Sequence, residues 1–346
     1  MKNNRWLVLL LVLVIIFMGY VTTTTANAQE KVILKLHLTH GTTHPFEEGV
    51  SHPNLAGAER LAELMNEKSG GILEIVIYPA SALGEDTKIL ELMQEGIVDI
   101  GFSIPVTKVA NIIPDLNVFS FPFLFVSAEH GKAFAQSEKG VELLKSAEEH
   151  GLVGLGFTNF FPRYPINRIK AITKVEDFKG LKFRTMGLPA ALDTYRYLGA
   201  NTVSIPFPEL YSSLQLGVID GVENDLLTIL SQNYYEVAKY LTLVPVWPFA
   251  TIFLVSKKTW DKLSPTHQQI LQESVPEALE VMSSEYERSF DAVIGILKSK
   301  GVTVTKPSDI KPFIEAVQPV YDDLLSKLTK EQQDMVYYIL ELAEKY

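Results

Sequence analysis

Residues 179–226, KGLKFRTMGLPAALDTYRYLGANTVSIPFPELYSSLQLGVIDGVENDL, constrain the fold more than any other stretch of the chain. Leu181, Phe183 and Thr185 alternate with Lys182 and Arg184, the period of a half-buried strand. Pro189 opens a short helix that ends at Gly199, in keeping with the preference for proline in a first turn and glycine past a last one. An apolar strand follows over 202–205, Pro208 opens a second helix closing at Gly217, and a third strand starts at Val218. Strand–helix–strand–helix–strand is the unit of a parallel α/β sheet, whose ligands sit outside the carboxyl ends of the strands. Arg184 and Asn224 leave two such ends. A planar guanidinium offers two parallel donors to a carboxylate; a structural ion pair with an Asp or Glu is the other reading of Arg184.

The joint that closes this unit occurs twice. A helix, a glycine, an apolar step and an aspartate run from Leu90 to Asp99 and again from Tyr211 to Asp220. Gly96 corresponds to Gly217 and Asp99 to Asp220, 121 residues apart, too long a period for a solenoid. Two similar α/β lobes facing one cleft satisfy the pattern. Residues 160–165, FFPRYP, are the expected crossing between them. Ser264-Pro265 opens a helix reaching about Lys298, with Leu271, Val275, Leu279, Met282 and Tyr286 on one stripe. At 1.5 Å per residue it is about 50 Å long, enough to brace both lobes.

Residues 1–28 have the form of a targeting segment. Lys2 and Arg5 precede an apolar run from Trp6 to Tyr20, and Ala26-Asn27-Ala28 supplies a small-residue cleavage site. Cleavage after Ala28 leaves 318 residues with 29 basic and 41 acidic side chains, a net charge of −12; an uncleaved anchor is the alternative. An acidic chain lacks the basic surface that nucleic acid requires. It would hold an anion through a local positive site against its overall field. Cysteine is absent, so there is no disulfide framework, no thiolate nucleophile and no lipid-bearing cysteine after the signal.

The runs KGLKFR and PFPELYSSLQLGVIDGVEN, with SGGILEIVIYPASALGED at 69–86, GIVDIGF at 96–102 and FPFLF at 121–125, resemble the solute-binding proteins of tripartite ATP-independent periplasmic (TRAP) transporters, the DctP-like family. The likeness runs from about residue 31 to the C-terminus. It implies a two-lobed α/β fold of the type II periplasmic-binding-protein kind, with a ligand cleft between the lobes and a long bracing helix. One lobe is expected from 29–161 with about 250–289, the other from about 162–249 with 290–346. It implies a non-enzymatic, exported receptor that closes on a small organic acid and delivers it to a secondary TRAP permease, a C4-dicarboxylate being the default ligand and an apolar or aromatic monocarboxylate the alternative. By the same resemblance Arg184 binds the ligand carboxylate, Asn224 contacts it, Arg163 supports it, Phe207 forms an aromatic wall, and Thr39 and Asp86 line the cleft from the first lobe. Asp225 stands where proline commonly follows the asparagine. Ile104 replaces the carboxylate of sialic-acid-binding members, which weighs against a sugar acid.

No G-x-S-x-G, P-loop or H-E-x-x-H motif is present, and no cofactor or metal is expected. Four of the seven histidines, His37, His40, His44 and His52, lie within sixteen residues, but their spacing matches no zinc pattern. An exported enzyme acting on an acidic substrate and a periplasmic metal-binding protein using these histidines stay open as alternatives.

Overall fold

The computed structural model describes residues 30–39, 52–185 and 187–346. Ten strands alternate with helices: β1 Val32–Leu38, β2 Leu73–Tyr78, β3 Ile100–Pro105, β4 Leu152–Asn167, β5 Lys182–Thr185, β6 Asn201–Ser204, β7 Gly221–Asn224, β8 Tyr240–Thr242, β9 Trp247–Ser256 and β10 Thr303–Thr305. They divide into two lobes of the same plan. In the first, β1 lies between β2 and β3, all parallel, and β9 adds antiparallel beside β3. In the second, β5 lies between β6 and β7, all parallel, and β4 adds antiparallel beside β7. β8 and β10 extend the second lobe from β4.

The repeated joint is structural. Gly96 and Gly217 both adopt left-handed backbone, φ 77° and 73°, which glycine reaches without a Cβ clash. After each, two successive amides turn back to one helix carbonyl, that of Leu92 or of Ser213. Asp99 Oδ2 accepts the amide of Lys35 at 2.8 Å, and Asp220 Oδ2 accepts that of Lys182 at 2.9 Å. Each aspartate thereby ties the start of its strand to the central strand of its lobe. Because the side chain of Asp220 caps Lys182, the third strand begins at Gly221 and not at Val218.

Each sheet is covered on both faces. Leu34, Leu36 and Leu38 of β1 meet Leu61 and Met65 of the Pro53–Lys68 helix and Leu271, Val275, Ala278 and Met282 of the long helix Pro265–Ser299. Further along that helix, Val293 and Leu297 enter the second-lobe core with Ile166, Val222 and Leu241. Tyr286, between them, packs against both cores. The 35-residue helix therefore spans the two lobes.

β4 and β9 connect the lobes. They pair antiparallel from Leu152↔Ser256 to Arg163↔Trp247, after which β4 continues against β7 as far as Asn167. The register slips between Gly154 and Gly156 and again between Thr158 and Phe161, irregularities of the kind that bend a strand.

The C-terminal assignment needs correction. Residues 290–346 do not all belong to the second lobe. Phe313, Val317 and Val320 pack there, but Tyr321, Val336 and Ile339 are buried in the first-lobe core with Leu116, Phe125 and Phe134. The Tyr321 hydroxyl donates to Pro122 O at 2.6 Å, and Gln332 Nε2 donates to Asp115 Oδ1 at 3.2 Å. The reason is the apolar stripe of the Lys330–Leu342 helix, which covers the proline-punctuated segment 111–125.

Candidate functional site

Strand order brings three expected side chains together. Arg184 is the third residue of β5, Asn224 ends β7, and Arg163 lies on β4, where Tyr164 faces Asn224 in the ladder. All three are buried. Arg163 is engaged by Glu223, fully sealed from solvent, which sequence reasoning did not single out. Its Oε2 forms an ion pair with Arg163 Nε, its backbone carbonyl accepts from the Arg163 Nη2 at 3.0 Å, and its Oε1 accepts from the Thr185 hydroxyl at 3.2 Å.

The two arginines are thus unequal. Burial opposes the Arg163 charge, but the charge and hydrogen bond of Glu223 outweigh it and hold the guanidinium above its ordinary pKa. Arg184 is lowered by burial and by the charge of Arg163, which Glu223 only partly offsets. Its Nε donates to Ile205 O at 2.9 Å. That bond anchors the guanidinium plane, and among the described residues the terminal nitrogens have no hydrogen-bond partner.

Several buried polar side chains of this lobe are unpaired. Asn224 Nδ2, the hydroxyls of Tyr195 and Tyr234, and Trp247 Nε1 are all buried without a hydrogen-bond partner among the described residues. Trp247 is the ladder partner of Arg163. Burial raises the Tyr234 hydroxyl to about 12 against the opposing charges of Arg184 and Arg163, so it is a neutral donor at physiological pH. Buried polar atoms are rarely left unsatisfied; Arg184, with the unpaired Tyr234 hydroxyl within reach of its charge, suits an oxygen anion.

Thr39 and Asp86 meet elsewhere, in the first lobe. The Thr39 hydroxyl donates to Asp86 Oδ1 at 2.6 Å, and His37 Nε2 approaches the same oxygen at 3.3 Å. Phe207 is 45% exposed, two residues beyond the Ile205 carbonyl that Arg184 holds. Ile104 is buried in the first-lobe core.

Of the clustered histidines, His40 and His44 lie outside the described residues. His37 is committed to Asp86, and His52 caps the Pro53–Lys68 helix by accepting from the Asn54 amide. Among the described residues no three His, Cys, Asp or Glu side chains converge as for a metal, and no helix is long and apolar enough to cross a membrane.

The profile of the bacterial extracellular solute-binding proteins, family 7 (DctP), matches residues 47–328. The chain belongs to this family. A curated relative, the sialic acid-binding periplasmic protein SiaP of Vibrio cholerae, is 28% identical over 275 residues, covering 78% of this chain and 84% of that protein. A TRAP periplasmic solute-binding protein from Ochrobactrum anthropi, solved with its C-terminus in the ligand pocket, superposes with a TM-score of 0.84 at 29% identity, covering 91% of this chain and 97% of that one. Another from Chromohalobacter salexigens, solved with D-glucuronate, has a TM-score of 0.82 at 26% identity over 89% and 99% of the two chains. This DctP-family chain therefore has the two-lobed fold of solved TRAP receptors, and its repeated half-sheets are the lobes.

Proposed function

We propose that the protein is an exported receptor that takes a small organic acid between its lobes and delivers it, chemically unchanged, to the membrane permease of a TRAP transporter. The observation that carries this is the Arg184 guanidinium, anchored through Nε to Ile205 O, with Asn224 Nδ2 an unpaired donor on the nearby strand end and Glu223 engaged by Arg163. A ligand carboxylate supplies the acceptors. The relatives' names support it: SiaP is named for sialic acid, and the Chromohalobacter protein holds D-glucuronate.

Arginine alone does not hold such a ligand. A charged hydrogen bond contributes about 1.5–3 kcal/mol, whereas micromolar binding requires about 8 kcal/mol. Closure of the lobes over the rest of the molecule supplies the difference.

Arg184→Ala and Arg184→Lys should both abolish the thermal shift given by a carboxylic acid, since lysine keeps the charge but not the fork. Their ligand-free melting temperatures should stay within a few degrees of wild type. The wild-type shift corresponds to about 2.7 kcal/mol at a hundredfold excess over Kd. A variant that melts much lower yet still binds the acid would make Arg184 a structural ion-pair residue. Mass spectrometry of acids carried through purification tests the receptor reading directly: the acid recovered intact supports it, and turnover of that acid by the protein would place it among enzymes. Intact mass of the exported protein checks cleavage after Ala28, which lies outside the described residues.

A further inference from the structure

The aspartate caps make Lys35 and Lys182 equivalent, since Asp99 accepts the amide of the one and Asp220 that of the other. Both lysines mark the end of their sheet away from the strand ends that carry Arg184 and Asn224. In the second lobe β5, β6, β7, β8 and β10 begin at this end and β4 finishes there. Backbone bonds hold the neighbouring loops together. The Arg168 amide donates to Asp220 O at 2.8 Å, that of Asp220 to Lys182 O at 2.7 Å, and that of Thr303 to Lys239 O at 2.8 Å. Tyr240 faces Asn167 across the ladder.

The chain is acidic overall, but this end of it is basic. Arg168, Lys170, Lys179, Lys182, Lys239 and Lys300 stand next to those strand ends, all exposed or half-buried. Asp220 is the only carboxylate in the same stretches, 168–170, 179–182, 198–201, 216–220, 238–240 and 300–303. It caps the Lys182 amide and lies 3.6 Å from Arg168 Nε. The turn Val175–Phe178 adds Glu176 and Asp177, with Lys174 beside them. Among the described residues none of the five lysines has a carboxylate partner. Three apolar side chains project among these cations: Leu216 is 77% exposed, Val218 55% and Ile169 46%. Arg168 links them, its Nη1 donating to Leu214 O at 3.4 Å beside Gly217. The equivalent end of the first lobe is different. Glu95 stands there at the place of Leu216, by the 121-residue offset, and Glu148 and Glu149 lie just before β4. Lys31 and Lys257 of that end are paired with Glu74 and Asp261.

We propose that this end of the second lobe docks on an anionic phospholipid surface, its lysines meeting headgroup phosphates while Leu216, Val218 and Ile169 enter the interface. Unpaired ammonium groups around exposed aliphatic side chains make up an interfacial membrane contact. A protein partner fits less well. Interfaces between proteins are poor in lysine and rich in arginine and aromatic side chains, whereas the one arginine here is engaged by Asp220. The attraction acts within a Debye length, about 8 Å at physiological ionic strength, so the net charge of −12 elsewhere on the chain does not cancel it. Arg184 and Asn224 lie toward the opposite ends of the same strands, and a docked molecule keeps its ligand site free. For a receptor that hands its cargo to a membrane permease, such docking confines the search to two dimensions.

Sedimentation with vesicles tests this on the protein beginning at Gln29. At low salt it should bind vesicles of equal parts phosphatidylglycerol and phosphatidylcholine and not those of phosphatidylcholine alone, and added salt should weaken the binding. Lys179→Glu, Lys182→Glu and Lys300→Glu together should weaken it about a hundredfold, at about fivefold per charge. Lys68→Glu, Lys145→Glu and Lys262→Glu, exposed first-lobe positions, change the net charge equally and should weaken it less than about threefold. Ligand-free melting checks that both triple variants fold; should the first not fold, Lys182→Gln and Lys300→Gln are measured singly, each with a loss of about fivefold. Leu216→Trp should shift its emission to shorter wavelength on the mixed vesicles, and Ile97→Trp, at the first-lobe place of Val218, should not. Failure to bind the mixed vesicles at low salt, equal binding to neutral ones, equal weakening by the first-lobe triple or an unmoved Leu216→Trp spectrum would each overturn the docking surface. None of these outcomes bears on the receptor reading, which Arg184→Ala decides.

Discussion

Glu223 shows how one buried charge assigns different tasks to two arginines. It is bound to Arg163 by side chain and backbone together and leaves Arg184 only a more distant charge. Removing one partner of a buried pair strands the other, at a cost of about 3–5 kcal/mol. Glu223→Ala should therefore lower unfolding stability by that amount in urea titration, while Glu223→Gln, which keeps the shape and can still meet Thr185, should cost less. The strand-end places of Arg184 and Asn224 were legible in the sequence because a strand end followed by a helix announces itself through periodicity, proline and glycine. Glu223 was not. It looks like any polar residue between Val222 and Asn224, and its partner lies 60 residues away on another strand. Phe207, expected as an aromatic wall, is 45% exposed.

At the scale of the element, the final helix depends on His130. The Val126 amide donates to His130 Nδ1 at 3.4 Å, and Nε2 donates to Ile339 O at 2.9 Å. Both ring nitrogens are thereby used in the neutral form, and protonation would set two N–H groups against one another at Nδ1. Burial lowers the pKa of this histidine, with the Ile339 carbonyl opposing. The unfolded chain then takes up a proton near pH 6.5 that the folded one resists. Stability from this group is complete above that pH and is lost as pH falls through it toward the lower folded value. Thermal melts from pH 7.5 to 5.5 should show a steeper decline for wild type than for His130→Leu, whatever the difference in their starting values. Gly217→Ala should cost about 1 kcal/mol or more, because φ is 73° and a Cβ would lie 2.8 Å from Arg168 Nη1. The helices themselves were visible from their apolar stripes. The lobe that the last one covers was not, since an apolar stripe declares that it must be buried and does not say against what.

For the whole molecule, β4 and β9 are the paired strands that join the lobes, and Tyr286 of the long helix stacks on Phe161 of β4 at 4.1 Å between ring centres. A ligand favours closure only by binding the closed state better. Small-angle scattering should give a smaller radius of gyration with saturating acid, and an unchanged radius with a demonstrably bound acid would argue against hinge closure. The repeat of 121 residues was readable as two similar joints. The equivalence of Lys35 with Lys182 was not, because it needs the aspartate-to-amide bonds that align the central strands.

The return of the last helix to the first lobe bears on the order in which the chain is completed. Ile89, Leu90 and Met93 and the segment 111–125 leave the ribosome early, yet the core they belong to is completed by Val336 and Ile339 of the Lys330–Leu342 helix. Contacts of such long sequence separation form late. The leading half of the nascent chain has no finished core of its own to fold into while the tail is still being made. Until that helix has been made, this stretch of polypeptide stays pliable.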